Sequence, residues 1–199
     1  MGFSTLIDIL GSTIVGGMLL MILFRLNDAA TQNTYNYGAD LIVQQSLVEV
    51  VQLLEYDFKK VGYCRDWTKI PDPSQAILLA DSTRVRFLTD TDNDSNVDTM
   101  YYYVGLPDSL SGTPNPRDRM LYRVVNHDTP GSANLGITQF RLNYFNALGQ
   151  QMSFPISNLS QIQTIQLSIT VESSYAYAND YSKVFWRQIR LAARNLRNR

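Results

Sequence analysis

The residues best suited to chemistry in this 199-residue chain lie in one acidic stretch, TDTDNDSNVD, at residues 89–98. Carboxylate or amide side chains occupy every second position of it: Asp90, Asp92, Asp94, Asn96 and Asp98. This alternation matches positions 1, 3, 5, 7 and 9 of a calcium-binding loop, which surrounds the ion with about six to eight oxygen ligands. The spacing therefore predicts a calcium site that would stiffen the loop rather than catalyse a reaction.

The match to a calcium loop is incomplete. The sixth position is Ser95, where such loops have glycine, and the twelfth is Tyr101, where they have a bidentate glutamate. The alternative is a solvated hairpin turn, because Asp and Asn favour turns on their own account. Both interpretations place the stretch between two strands.

Catalytic patterns are missing from the sequence. It contains one histidine, His127, and one cysteine, Cys64, with no nucleophile elbow, phosphate-binding glycine loop or histidine–carboxylate pattern. The polar surroundings of His127 predict an exposed loop residue. Cys64 has no second cysteine to pair with and is predicted to be a buried or adventitious thiol. We therefore expect a protein that is not an enzyme.

Charge and aromatic residues are unevenly distributed. The net charge is −1, which gives no global basicity for nucleic acid, so we expect no nucleic-acid partner. A basic end carries five arginines: Arg187, Arg190, Arg194, Arg197 and Arg199. It is predicted to be a solvated end, which the acids at 90–98 of another subunit would match; acidic lipid headgroups, an acidic neighbour and DNA are the alternative contacts. Two tyrosine groups are candidates for either a binding patch or ordinary packing: Tyr101, Tyr102 and Tyr103, and Tyr175, Tyr177 and Tyr181.

The first part of the chain predicts a membrane-spanning helix. Between Phe3 and Phe24 the only charged residue is Asp8, and about 20 apolar residues are enough to cross a bilayer. No basic segment precedes this run and no clear cleavage site follows it, which argues against a secretory signal peptide.

Asp8 and several small residues stand out in this run. An unpaired carboxylate inside a bilayer costs on the order of 3 kcal/mol, so Asp8 is predicted to pair with a neighbouring chain or to reach the headgroups. Gly11, Ser12 and Gly16, with Gly17, would let another helix approach closely; glycines merely tolerated by lipid are the alternative.

The helix is predicted to continue as an amphipathic segment and to stop at Gly62. No proline occurs between Phe3 and Val61, and apolar residues recur at steps of three and four. The members of this stripe are Val43, Leu47, Val50 or Val51, Leu54, Phe58 and Val61.

After Gly62 the pattern changes to strands and turns. Strands are predicted at VRFL, TMYYYVG, RMLYRVV, ITQFRLNYFN and IQTIQLSITVE, and loops at DWTKIPDPSQ, SLSGTPNPRD and NHDTPGSANLG. The segment VFWRQIRLAARNLR fits either a strand or a helix. We predict an α+β fold, in which a long hydrophobic-then-amphipathic N-terminal helix packs on a small antiparallel sheet. Residues 1–38 form the hydrophobic helix half, and residues 39–199 form a head made of helix 39–61 and sheet 62–199.

This layout resembles a type IV pilin, most closely the PilW-type minor pilins and the J-type pseudopilins of type II secretion. The resembling segments are LVEVVQLLEYDFKKVGYC, VRFLTDTDNDSNVDTMYYYV, RMLYRVVN, ITQFRLNYFNALGQ and IRLAARNLRNR, in the family's order. The resemblance implies a non-enzymatic subunit that assembles through its N-terminal helix with other pilin or pseudopilin subunits. Assembly would produce a type IV pilus or a secretion pseudopilus.

The resemblance also implies an inner-membrane precursor with a periplasmic head, and processing by prepilin peptidase between Gly2 and Phe3. The family's early acid is a glutamate at the fifth mature position, whereas Asp8 is the sixth residue counted from Phe3. In the family this acid pairs with the amino terminus of the adjacent subunit. The alternative function is a single-span envelope protein that binds a ligand or partner without polymerising.

Overall fold

A computed structural model describes residues 2–110, 112–174, 181 and 183–191. They form one helix and seven strands: α1 Gly2–Lys59, β1 Ile77–Ala80, β2 Arg84–Thr89, β3 Asp98–Val104, β4 Arg119–Val125, β5 Gly131–Phe145, β6 Thr164–Glu172 and β7 Lys183–Leu191. The chain divides into two compact units, Met1–Ala39 and Asp40–Arg199.

The first unit consists of the apolar part of α1. Residues 2–35 are all exposed within the chain, and the most apolar window of the helix has a mean hydropathy of 2.2. Among the described residues, one helix, at the N-terminal end, is therefore long and apolar enough to cross a membrane.

The second unit has its core between the end of α1 and the sheet. The predicted apolar stripe is confirmed: every member from Val43 to Val61 is buried, and Val50 rather than Val51 is the fully buried one of that pair. Phe58 lies edge-on against Phe87 of β2 and Tyr102 of β3, with ring centroids 5.7 and 5.6 Å apart. The spacing of three and four residues places these side chains on one face of the helix, and that face supplies the core.

The described strands form one antiparallel sheet in the order β1-β2-β3-β4-β5-β6-β7. Each strand pairs with the strand that follows it in sequence. The predicted α+β class, with a long apolar N-terminal helix and an antiparallel sheet, is confirmed.

Three details differ from the sequence-based predictions. The helix ends at Lys59, and Gly62 lies in the following turn with a φ of +72°. The short strand β1 was missed because four residues after a proline-bearing loop carry no alternation to detect. Residues 131–136, predicted as loop, are the start of β5, because their backbone pairs with β4 although all their side chains except Leu135 are small or polar.

The ambiguous closing segment is a strand as far as the structure describes it. β7 covers Lys183–Leu191 and pairs with β6. Arg194, Arg197 and Arg199 of the predicted basic end lie outside the described residues, as do Tyr175 and Tyr177.

Gly136 is required by a close backbone approach between β5 and β6. Its φ is +69°, and a Cβ atom at this position would lie 2.4 Å from the carbonyl oxygen of Glu172. A side chain here would therefore meet both the cost of a left-handed backbone and a clash with a backbone atom that cannot move away.

We predict that Gly136→Ala lowers the free energy of unfolding by more than about 1 kcal/mol. The matched control is Gly149→Ala, because Gly149 has a similar φ of +74° but open space around the missing Cβ. Thermal unfolding of the full chain in detergent micelles measures both. Equal losses in the two variants would show that the contact with Glu172 contributes nothing.

Candidate functional site

The end of α1 is attached to the sheet by a buried carboxylate. Asp57 is 2% exposed and accepts hydrogen bonds from the Tyr102 hydroxyl on β3 and from Arg123 Nε on β4, the latter at 2.7 Å. Arg123 Nε also lies 3.1 Å from the Tyr102 hydroxyl oxygen. Burial, reinforced by the charge of Asp57, raises the pKa of Tyr102 and keeps its hydroxyl protonated as a donor. One carboxylate thus joins the helix to two neighbouring strands.

Sequence reasoning missed this group, although a signal was present. Asp57 interrupts the apolar stripe between Leu54 and Phe58, and an acid on a buried helix face needs a partner. The partner Arg123 is 66 residues away, so spacing alone does not identify it.

We predict that Arg123→Met lowers the free energy of unfolding by about 2–3 kcal/mol. This is less than the about 3–5 kcal/mol expected for a fully buried pair, because the Arg123 side chain is 34% exposed. Tyr102→Phe should cost about 1.5 kcal/mol through loss of one hydrogen bond to a charged group.

The matched control is Arg84→Met, which removes an exposed pair with Asp81 at 2.8 Å. It should change the free energy of unfolding by less than about 0.5 kcal/mol. Denaturant unfolding followed by circular dichroism would contradict the assignment if Arg123→Met cost no more than this control.

The anchored end of α1 positions the acidic loop between β2 and β3. Directly after the helix, the Gly62 N–H donates to the Leu88 carbonyl at 2.9 Å, and the Asp90 N–H donates to the Tyr63 carbonyl at 2.8 Å. The Arg65 N–H then donates to Asp90 Oδ2 at 3.1 Å. The first residue of the loop is therefore fixed by the segment that follows the helix.

The loop brings together three of the five predicted metal ligands. One carboxylate oxygen from each of Asp90, Asp92 and Asp98 lies within 4.8 Å of the other two. Asp94 is turned away and accepts hydrogen bonds from the backbone N–H and Nδ2 of Asn96. Asn96 Oδ1 in turn accepts from Lys69 Nζ at 2.9 Å.

Hydrogen bonds favour the ionised form of two of these acids. Burial opposes ionisation of Asp98, but donors on Thr91 and Asn126 hold the pKa of its carboxyl below the usual value. The backbone and side chain of Asn96 likewise lower the pKa of Asp94. Both carboxylates are therefore negatively charged at neutral pH.

Aromatic rings form a row on the sheet. Tyr101, Tyr103 and Tyr122 stack with centroid distances of 4.9 and 4.7 Å, and the Arg86 guanidinium lies 4.6 Å from the Tyr101 centroid. Adjacent tyrosines of β3 face opposite sides of the sheet, because Tyr102 is buried in the core while Tyr101 and Tyr103 remain partly exposed. Of the other tyrosine group, Tyr181 is described, and its hydroxyl donates to the Pro114 carbonyl at 3.3 Å.

The two single-copy residues lie as predicted. His127 is exposed in the turn after β4. Cys64 is a buried free thiol, and burial raises its pKa, which keeps it in the less reactive protonated form.

Asp118 is a second buried acid that the sequence did not reveal. It has no exposed surface, and neither of its carboxylate oxygens has a hydrogen-bond partner among the described residues. Burial, and to a smaller extent the charge of Glu172, raise the pKa of its carboxyl. A raised native pKa means that the neutral acid stabilises the fold at low pH and that this contribution is lost as pH rises through the native pKa.

We predict that Asp118→Asn raises the melting temperature at pH 7, because the amide removes a buried charge and keeps the shape of the side chain. The difference from the unsubstituted chain should shrink as the pH falls, because its raised pKa makes Asp118 take up a proton before an ordinary carboxyl does. Thermal unfolding between pH 4 and pH 7 checks the prediction. A constant difference across that range would contradict it.

The predicted assembly residues lie along the uncovered helix of the first unit. Phe3 is 82% exposed, and Asp8, Gly11, Ser12 and Gly16 are exposed as well. At 3.6 residues per turn, the last four fall within an arc of about 140° on one side of the helix. A Cβ atom at Gly11, Gly16 or Gly17 would meet no other atom within 4 Å. Nothing in the described chain therefore requires glycine at these three positions.

The polar groups of this segment differ in how they are satisfied. The hydroxyls of Ser12 and Thr13 donate to the helix carbonyl of Ile9 at 2.9 and 2.8 Å, which makes them compatible with lipid. The Asp8 carboxylate takes part in none of the hydrogen bonds or ion pairs found among the described residues.

Comparison of the chain with protein-family models, characterised proteins and solved structures finds no match.

Proposed function

We propose that this chain is a non-enzymatic structural subunit, a minor pilin or pseudopilin, that assembles through α1 into a type IV pilus or a type II secretion pseudopilus. The observation that carries the proposal is one uninterrupted helix, Gly2–Lys59, whose first and last parts have different surroundings. Its first part is apolar and uncovered, and its last part supplies the core of the second unit. A subunit that must leave lipid for a helical bundle needs both properties in one element.

The apolar surface of the first part extends around the whole helix. The large apolar side chains between Phe3 and Leu26 are between 52% and 82% exposed, with no buried face. A helix that is apolar on all sides requires an apolar environment on all sides, which either a bilayer or a bundle of like helices supplies. The helix can therefore exchange one for the other with little change in the free energy of its apolar surface.

Asp8 favours the bundle as the final environment. In lipid its carboxylate has no partner, whereas the resemblance to pilins implies pairing with the amino terminus of an adjacent subunit. A buried ion pair contributes little when complete and costs much when one member is missing, so it selects one register between neighbouring helices. Gly11, Ser12 and Gly16 lie on the same side and would allow the close approach that this pairing requires.

The same proposal includes location and processing. The precursor would span the inner membrane once with its head in the periplasm, and prepilin peptidase would cut between Gly2 and Phe3. Both residues lie in the exposed first turn of α1.

Mass spectrometry of the mature amino terminus should find Phe3 as the first residue.

A non-polymerising envelope protein that binds a ligand or partner is the second candidate. The observation that favours it is the stacked row of Tyr101, Tyr103 and Tyr122, since partly exposed aromatic rings are typical of binding surfaces. This candidate needs the apolar helix only as an anchor and gives Asp8 no partner.

We predict that Asp8→Ala preserves membrane insertion but lowers incorporation into sheared filaments at least about tenfold, because the register-setting pair is lost. The matched control is Asp28→Ala, which removes an exposed acid from the same helix outside the apolar run. Immunoblots of membrane and filament fractions from the native host measure both. Normal incorporation of the Asp8 variant would favour the anchored, non-polymerising protein.

The small-residue side of the helix provides an independent test. Gly16→Leu should also block incorporation, whereas Gly17→Leu should have a smaller effect, because Gly17 lies on the side opposite Asp8. Neither change disturbs the chain itself, since both positions face open space. Equal incorporation of the two variants would exclude a role for this side in helix contact.

A further inference from the structure

We propose that the loop at residues 90–98 binds one calcium ion through Asp90, Asp92 and Asp98. The hydrogen bonds of Asp90 carry this inference. Asp90 has no exposed surface, and its Oδ2 accepts hydrogen bonds from the N–H groups of Arg65 and Ser95, both at 3.1 Å. Its Oδ1 is buried and has no partner among the described residues. A buried carboxylate oxygen without a donor needs an explanation, and beside two further carboxylates a bound cation supplies one.

The three carboxylates have the spacing of a calcium coordination sphere. Calcium–oxygen distances of about 2.3–2.6 Å allow ligands on opposite sides of the ion to be about 4.6–5.2 Å apart. The oxygens of Asp90, Asp92 and Asp98 all lie within 4.8 Å of one another. One ion can therefore contact all three with little movement of the loop.

The neighbouring cations do not neutralise this cluster. Lys60 Nζ donates to the Thr91 carbonyl at 2.9 Å, Arg65 Nη1 to the Asn93 carbonyl at 3.2 Å, and Lys69 Nζ to the Asn96 amide oxygen at 2.9 Å. All three bind uncharged oxygens and leave the carboxylates without an ion pair in the described chain. The mutual repulsion of the acids remains to be balanced by a cation at the centre of the cluster.

The backbone also removes the main objection raised by the sequence. Calcium loops have glycine at the sixth position because the chain turns sharply there. Ser95 occupies that position with a φ of +72°, and its N–H donates to Asp90 Oδ2. The serine thus adopts the glycine-like conformation and holds the first ligand in place.

Calcium would strengthen the attachment of the β2–β3 hairpin to the end of α1. Asp90 is bound to the segment after the helix through Arg65 and Tyr63, and Asp98 begins β3. An ion shared by Asp90 and Asp98 closes the base of the loop from both sides. The proposed site is structural, and it does not depend on whether the chain polymerises.

Thermal unfolding of the full chain in detergent micelles tests the proposal. After removal of divalent ions by a chelator, CaCl2 at about 100 times its Kd should raise the melting temperature by about 5–10 °C, in a saturable manner. MgCl2 at the same concentration should have a much smaller effect, because Mg²⁺ demands a rigid octahedral site and retains its water. An equal shift with Mg²⁺, or no shift with CaCl2 up to about 10 mM, would overturn the assignment.

The variant Asp92→Asn tests whether this carboxylate is one of the calcium ligands. Asp92 is exposed, so the variant should fold, but its affinity for Ca²⁺ should fall at least about tenfold because a charged ligand is lost. Asp128→Asn, which removes an exposed acid from the turn after β4, is the matched control and should leave the affinity unchanged. Equal Ca²⁺ affinities for the two variants would exclude this cluster. The readout is taken on unassembled protein, so its failure would leave the proposed filament role untouched.

Discussion

The hydrogen bonds between Asp57, Tyr102 and Arg123 are the constraint on which the second unit depends. The apolar stripe of α1 selects the face of the helix that meets the sheet, but hydrophobic contact has no direction and leaves several small rotations about that face open. A buried carboxylate that accepts from two strands permits only one. This fixed rotation determines where the chain emerges after Lys59, and therefore where Tyr63 and Arg65 meet the acidic loop.

The two parts of α1 differ in how much of their apolar surface the chain itself covers. The second part is amphipathic, and its apolar stripe packs on the sheet of the same chain. The first part is apolar on every side and carries one acid, and none of the described residues covers it. One continuous helix therefore combines an uncovered apolar part with a packed amphipathic part.

The sequence was most informative where a repeated spacing reflects burial. The stripe from Val43 to Val61 and the strand around Tyr102 follow periods near 3.6 and 2 in their burial, and both were predicted correctly. The strand around Leu167 was also predicted, but its polar Gln166 and Ser168 are buried as well, so its alternation does not mark an exposed face. The start of β5 at Gly131 was not predicted, because its pairing depends on backbone atoms that side-chain patterns do not report. The acidic loop was found by its composition, but a one-dimensional spacing cannot separate Asp90, Asp92 and Asp98 from Asp94, which folds back onto Asn96.

The strand order of the sheet also bears on how the head acquires its structure. Since each described strand pairs with the one that precedes it in sequence, every new strand meets an edge that already exists. The strands that pair are neighbours in sequence, which keeps the entropic cost of each step small. If the domain is synthesised or translocated from its N-terminal end, its strands can therefore pair one after another before the C-terminus is present.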